Sequence, residues 1–72
     1  MKIIGRLEFT DMNDGVDAGL IVRVDAECVA LGAWLKGDGD YTIGLPPTVA
    51  RKLVDLLEAA LADDALKAGE QP

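Results

Sequence analysis

From Cys28 to Leu35 the chain reads CVALGAWL, eight residues without a charge, an amide or a hydroxyl. Written as a strand, Val29, Leu31, Ala33 and Leu35 fall on one side, and Cys28, Ala30, Gly32 and Trp34 on the other. A strand that is apolar on both sides has to be covered on both sides. That requirement governs what the rest of a 72-residue chain can do.

The flanking segments supply half-buried strands. In KIIGRLEFT, Ile3, Leu7 and Phe9 share one side with Gly5 between them, and Ile4, Arg6, Glu8 and Thr10 share the other. This alternation predicts a strand over 2–10. DMNDGVDAG follows with Asp11, Asn13, Asp14 and Gly15 as turn formers, so 11–19 reads as a loop or as a wide hairpin whose far arm begins near Val16. LIVRVD alternates again, with Leu20, Val22 and Val24 inward and Ile21, Arg23 and Asp25 outward. A short polar link at 25–27 leads into CVALGAWL, KGDGD is a turn signal, and YTIGL returns with Tyr41, Ile43 and Leu45 inward.

A helix comes last. Pro47 suits the first helical position, where its missing N–H is no loss, and Pro46 keeps the approach extended. At about 100° per residue, Val49, Ala50, Leu53, Val54, Leu56, Leu57, Ala60 and Leu61 fill roughly half the wheel. Arg51, Lys52, Asp55 and Glu58 take the remainder. Asp64 would break the apolar face, so packing is expected to loosen after Ala62. The pattern allows the helix to run on to Ala68 with an Asp63–Lys67 pair, a stop at Gly69 and a frayed tail over 70–72. The expected fold is therefore α+β: one domain over 1–69, an antiparallel β-meander of three to four strands followed by one C-terminal helix packed on one face.

One helix covers one face of a sheet. If it covers the side of Leu7, Val22 and Leu31, then Cys28, Ala30, Gly32 and Trp34 stay open, with Ile4 and Ile21 nearby. The opposite assignment leaves Val29, Leu31 and Leu35 open instead. A bulge at Gly32, turning half the strand, is the arrangement that would remove the surplus. Otherwise an apolar face lacks a lid, and an isologous homodimer is the simplest one. The candidate interface is Ile21, Ala30, Gly32 and Trp34, with Val54 and Leu61 from the helix. A 72-residue chain with one cysteine and no histidine has neither an intrachain disulfide nor a cysteine–histidine zinc site to add stability, which also favours association.

Charge narrows the partners. Thirteen acids against seven bases give a net charge of −6. Direct nucleic-acid binding and anionic membrane surfaces are disfavoured, and a basic protein partner is favoured. The apolar run in MKIIGRLEF breaks at Gly5 and Arg6, so no signal peptide is expected. With a lone thiol this reads as a cytoplasmic protein.

Chemistry-bearing patterns are sparse. DMNDGVD departs from a calcium loop, since positions six and twelve counted from Asp11 are Val16 and Val22. KGDGDY lacks the Lys-Ser/Thr of a phosphate loop, and Asp38 and Asp40 fall at a hairpin tip. Cys28 has no histidine partner, and Thr10, Thr42 and Thr48 have no base. Trp34 and Tyr41 are too few for a base-stacking platform. No catalytic residue, metal or cofactor is expected. Arg6 and Arg23 fall on outer faces of neighbouring strands, where Glu8 and Asp25 could pair with them; a clamp for a carboxylate or phosphate is the alternative.

YTIGLPPTVARKLVDLLEAAL, with Leu45, Pro47, Ala50 and Leu53 in a Leu-x-Pro-x-x-Ala-x-x-Leu spacing, resembles the ends of short uncharacterised proteins of high-GC actinobacteria and their phages. The resemblance covers about a third of the chain and implies no activity. It would make this a small accessory protein that binds a host factor. The leading expectation is a non-enzymatic, homodimeric interaction module. The alternatives are a small anionic-ligand binder and an acidic decoy for a nucleic-acid-binding partner.

Overall fold

Strands β1 (Lys2–Thr10), β2 (Asp17–Asp25), β3 (Cys28–Leu35) and β4 (Gly39–Leu45) pair consecutively in one antiparallel sheet, and helix α1 (Pro47–Leu61) follows. This is a computed structural model, and it describes residues 1–64. The expected continuation of the helix to Ala68, the Asp63–Lys67 pair, the stop at Gly69 and the tail over 70–72 lie outside the described residues.

Each turn follows from local chemistry. The β1–β2 connection is the hairpin alternative, with β2 starting at Asp17. Asp11 organises it: its carboxylate accepts from the Asp14 N–H at 2.6 Å, and its carbonyl accepts from the Gly15 N–H at 2.8 Å. Gly15 takes the left-handed φ of +73° that closes this loop. Between β3 and β4, the Asp38 N–H donates to the Leu35 carbonyl at 3.0 Å, and Gly37 supplies the positive φ that a type II turn requires at its third residue. The β2–β3 turn is tighter. Asp25 pairs with Cys28, and Ala26 between them sits at φ +49°, a region an alanine enters at a cost of roughly 1–2 kcal/mol.

The register assigns the two faces. Leu7, Leu20, Ala33 and Tyr41 form one row across the sheet; Gly5, Val22, Leu31 and Ile43 form the next. Arg6, Ile21, Gly32 and Thr42 form a row on the opposite face, as do Glu8, Gly19, Trp34 and Asp40. One expectation is corrected here. A bulge between Ile3 and Gly5 inserts an extra residue into β1, so Ile3 pairs with Arg23 and shares its face. Ile4 lines the groove on the other side. The simple alternation of β1 had exchanged these two isoleucines. The bulge falls in β1; β3 and β4 pair without a break through Gly32.

Helix α1 starts as its prolines suggest. Pro46 is the extended N-cap at ψ 148°, and its carbonyl accepts from the Val49 and Ala50 N–H groups. The helix lies on the face of Leu7, Val22 and Leu31, where its backbone comes near β3 and β4 and not β1 or β2, and Ile43 on that side of β4 is still 59% exposed. No residue of α1 is buried, and only Ala50 and Leu53 are even half-buried.

The fold therefore has little interior. Among the described residues, the buried hydrophobic ones are two alanines, Ala18 and Ala30. The radius of gyration is 14.1 Å, where a compact domain of this length has about 11 Å. The accessible surface is 5944 Å², against roughly 4,300 Å² for a compact monomer of this mass.

Candidate functional site

The two faces of the sheet solve the covering problem in different ways. On the face away from the helix, large side chains lie over small ones. The Trp34 indole lies across Gly19, its cross-strand partner: a Cβ placed at Gly19 would come within 2.6 Å of Cε2. Ile21 lies over Gly32 in the same manner, 2.7 Å from a Cβ placed there, and the Cys28 thiol sits beside Gly44. Small residues need little cover, so local pairs suffice. Ala30 is only 7% exposed, and Gly19 and Gly32 are buried, without any second layer above them.

That arrangement locates the sequence-predicted residues. Ile21, Ala30, Gly32 and Trp34 come together on this open face, where the indole keeps 37% of its surface exposed. Val54 and Leu61 are on the helix and do not join them. Arg6 and Arg23 share the open face and line one depression of about 250 Å³. Their directly opposite partners are apolar: Ile21 for Arg6, and Ile3 and Ala30 for Arg23. Glu8 lies across from Gly19 and Asp25 from Cys28, so the expected cross-strand charge pairs are not in register. Glu8 and Asp40 line the same depression as the two arginines and offset their charge.

The helix side is where large apolar side chains remain in contact with water. Beside α1 a groove of about 560 Å³ opens toward the β1–β2 half of the sheet, with Val29, Leu31 and Leu45 lining its inner end. Ile4, Leu7, Leu20 and Val22 line its floor, and Leu53, Val54 and Leu57 its wall. Leu7 is 63% exposed and Leu57 55%. Toward the hairpin tips the same face continues past Phe9, Leu35 and Tyr41, which line a second depression of about 250 Å³. An apolar surface of this continuity is unusual for a monomer.

The sequence places the surplus of apolar residues on the face of Trp34 and on the helix, and does not single out Leu7, Leu20, Val22 and Leu57, which line the groove. The missed signal was residue size. One side of β3 carries Cys28, Ala30 and Gly32, and the other Val29, Leu31 and Leu35, so the second needs far more cover per residue.

No family model, curated protein or solved structure matches the chain.

Among the described residues, no group of three potential metal ligands comes together. The Asp11 carboxylate is occupied in organising its own turn. Among the described residues, no helix is long and apolar enough to cross a membrane.

Proposed function

We propose that the chain is a non-enzymatic protein-interaction module that works as a homodimer. The observation that carries this reading is how little interior there is, with two alanines as the buried apolar residues among those described. Burial of apolar surface is the main favourable term in folding, at roughly 25 cal/mol per Å². A sheet and helix that bury so little on their own need a second surface to be stable. A copy of the same chain is always at hand at equal concentration, and an isologous contact doubles every favourable pair.

Size supports the same reading. The surface surplus over a compact monomer is roughly 1,600 Å². If two copies each hid half of it, about 1,600 Å² would be buried in total, the size of a stable specific interface. The non-enzymatic part rests on Cys28, the one thiol, which packs beside Gly44 in a chain without histidine to activate it. In such a dimer the open face carrying Ile21, Ala30, Gly32 and Trp34 stays outward and is the surface offered to a further protein. The anion reading has less support, because acids share the depression with both arginines.

Sedimentation equilibrium tests the dimer directly. The expected mass is twice the 7.6 kDa of one chain. A folded species of single-chain mass that persists to millimolar concentration would overturn the proposal.

A further inference from the structure

We infer that two copies join helix side to helix side, each seating the Val54–Leu57–Leu61 edge of its α1 in the groove between the partner's helix and its β1–β2 half. This rests on the homodimer reading and specifies the surface and the mode.

The width of the sheet sets the vacancy. Neighbouring strands lie about 4.8 Å apart, so four strands span roughly 14–19 Å with their side-chain margins. A helix with its side chains is about 10 Å across and covers two strands. The backbone of α1 comes near β3 and β4 and not β1 or β2. Beside it lies the groove floored by Leu7, Leu20 and Val22.

The helix offers a matching edge. Val54, Leu57 and Leu61 recur at i, i+3 and i+7 and form one stripe on the flank of α1 that faces the vacancy. Val54 and Leu57 line the groove already, and all three side chains are exposed. A two-fold axis beside this stripe brings it against its own copy and sets each edge on the partner's floor, which satisfies the self-complementarity of an isologous contact. The apolar arc of α1 is about half the wheel. That is enough to touch its own sheet and one further surface. Glu58 and Arg51 border this stripe, about 40° and 60° round the wheel from Val54, with Asp55 and Lys52 farther round, so the two sheets meet at an angle and leave that side of each helix in water.

The amount buried agrees with a stable dimer. Filling both grooves covers Leu7, Leu20, Val22, Val54, Leu57 and Leu61 of each copy, whose exposed parts come to about 1,000 Å² over the two copies, the lower bound for a specific interface.

The test uses the wild-type chain. Isotope-labelled and unlabelled protein are unfolded, mixed and refolded together, and isotope-filtered NOE spectra then report contacts between copies alone. Cross-copy contacts between the methyl groups of Val54, Leu57 or Leu61 and those of Leu7, Leu20 or Val22 are expected. Cross-copy contacts confined to the Trp34 indole and Ile21 would overturn the groove mode while leaving the dimer standing. A single-chain mass in sedimentation would overturn both. A paired-variant measurement gives a second reading: Leu57→Asp is expected to weaken self-association at least 100-fold, whereas Arg23→Glu on the open face changes it less than 3-fold. The reverse order would also overturn the groove mode.

Discussion

The indole of Trp34 lies over Gly19, its cross-strand neighbour, and leaves no room for a side chain there. A Cβ at position 19 would fall 2.6 Å from Cε2 and 2.9 Å from Cζ2. Gly19→Ala therefore forces the ring off the strand, and such overpacking costs about 1–3 kcal/mol. The expected result is a lower thermal midpoint together with a red-shifted tryptophan emission, since the displaced ring meets more water. An unchanged emission maximum with unchanged stability would show that the ring does not rest there.

Ala26 is a second position where one methyl group decides the outcome, in the opposite direction. It holds φ +49° in the two-residue turn between β2 and β3, and nothing in the sequence supplies a glycine or asparagine there. Ala26→Gly removes the steric penalty of the left-handed region, partly offset by the greater freedom of glycine in the unfolded chain. A net gain of about 0.5–1 kcal/mol is expected. In a domain of this size that raises the melting temperature by about 2–8 °C, readable by circular dichroism. A loss of stability would mean that the turn adopts another conformation.

Strand order, the helix and its start were legible because each depends on short-range pattern. The alternation in LIVRVD and YTIGL, the turn residues of KGDGD and the Pro46–Pro47 pair act within a few residues of themselves. The exchange of Ile3 and Ile4 was not legible. The bulge that causes it is a misfit of register between β1 and β2, and the alternation of β1 by itself is equally good either way. Asp17 to Gly19 read equally as loop or as the start of a hairpin arm because Ala18 and Gly19 are small; they extend β2, with Gly19 lying under Trp34. The open groove depends on where α1 settles across the sheet. Helix periodicity states how wide the apolar face is, and it leaves open which two of the four strands that face will cover.

Leu57 distinguishes a groove that stays open from one that is filled. Within one chain it is already 55% exposed, so truncation removes little buried surface. In a lone molecule Leu57→Ala would cost under about 1 kcal/mol, by the area it hides. Buried against a partner's Leu7 and Leu20, the same side chain becomes a core leucine, whose removal costs about 2–5 kcal/mol. The larger value is expected in chemical denaturation at a concentration where the protein is dimeric. Ala60→Gly nearby makes a useful comparison, since its effect is dominated by helix propensity, at about 1 kcal/mol in either setting.

If folding and pairing are one event, the melting temperature must depend on protein concentration. A monomer melts at the same temperature at any dilution, because folded and unfolded states contain equal numbers of particles. A dimer that unfolds to two chains does not: each tenfold rise in concentration favours the paired state by about 1.4 kcal/mol per dimer. For two chains of 72 residues, unfolding with about 2.1 cal/mol/K per residue, this amounts to roughly 4–5 °C per decade. Scans from micromolar to millimolar protein should therefore climb by more than 10 °C in all. The open-face variant Arg23→Ala should show the same slope, since the residue stands away from the helix side. A flat response in the wild-type chain, with a cooperative transition, would mean that it holds its fold without a partner.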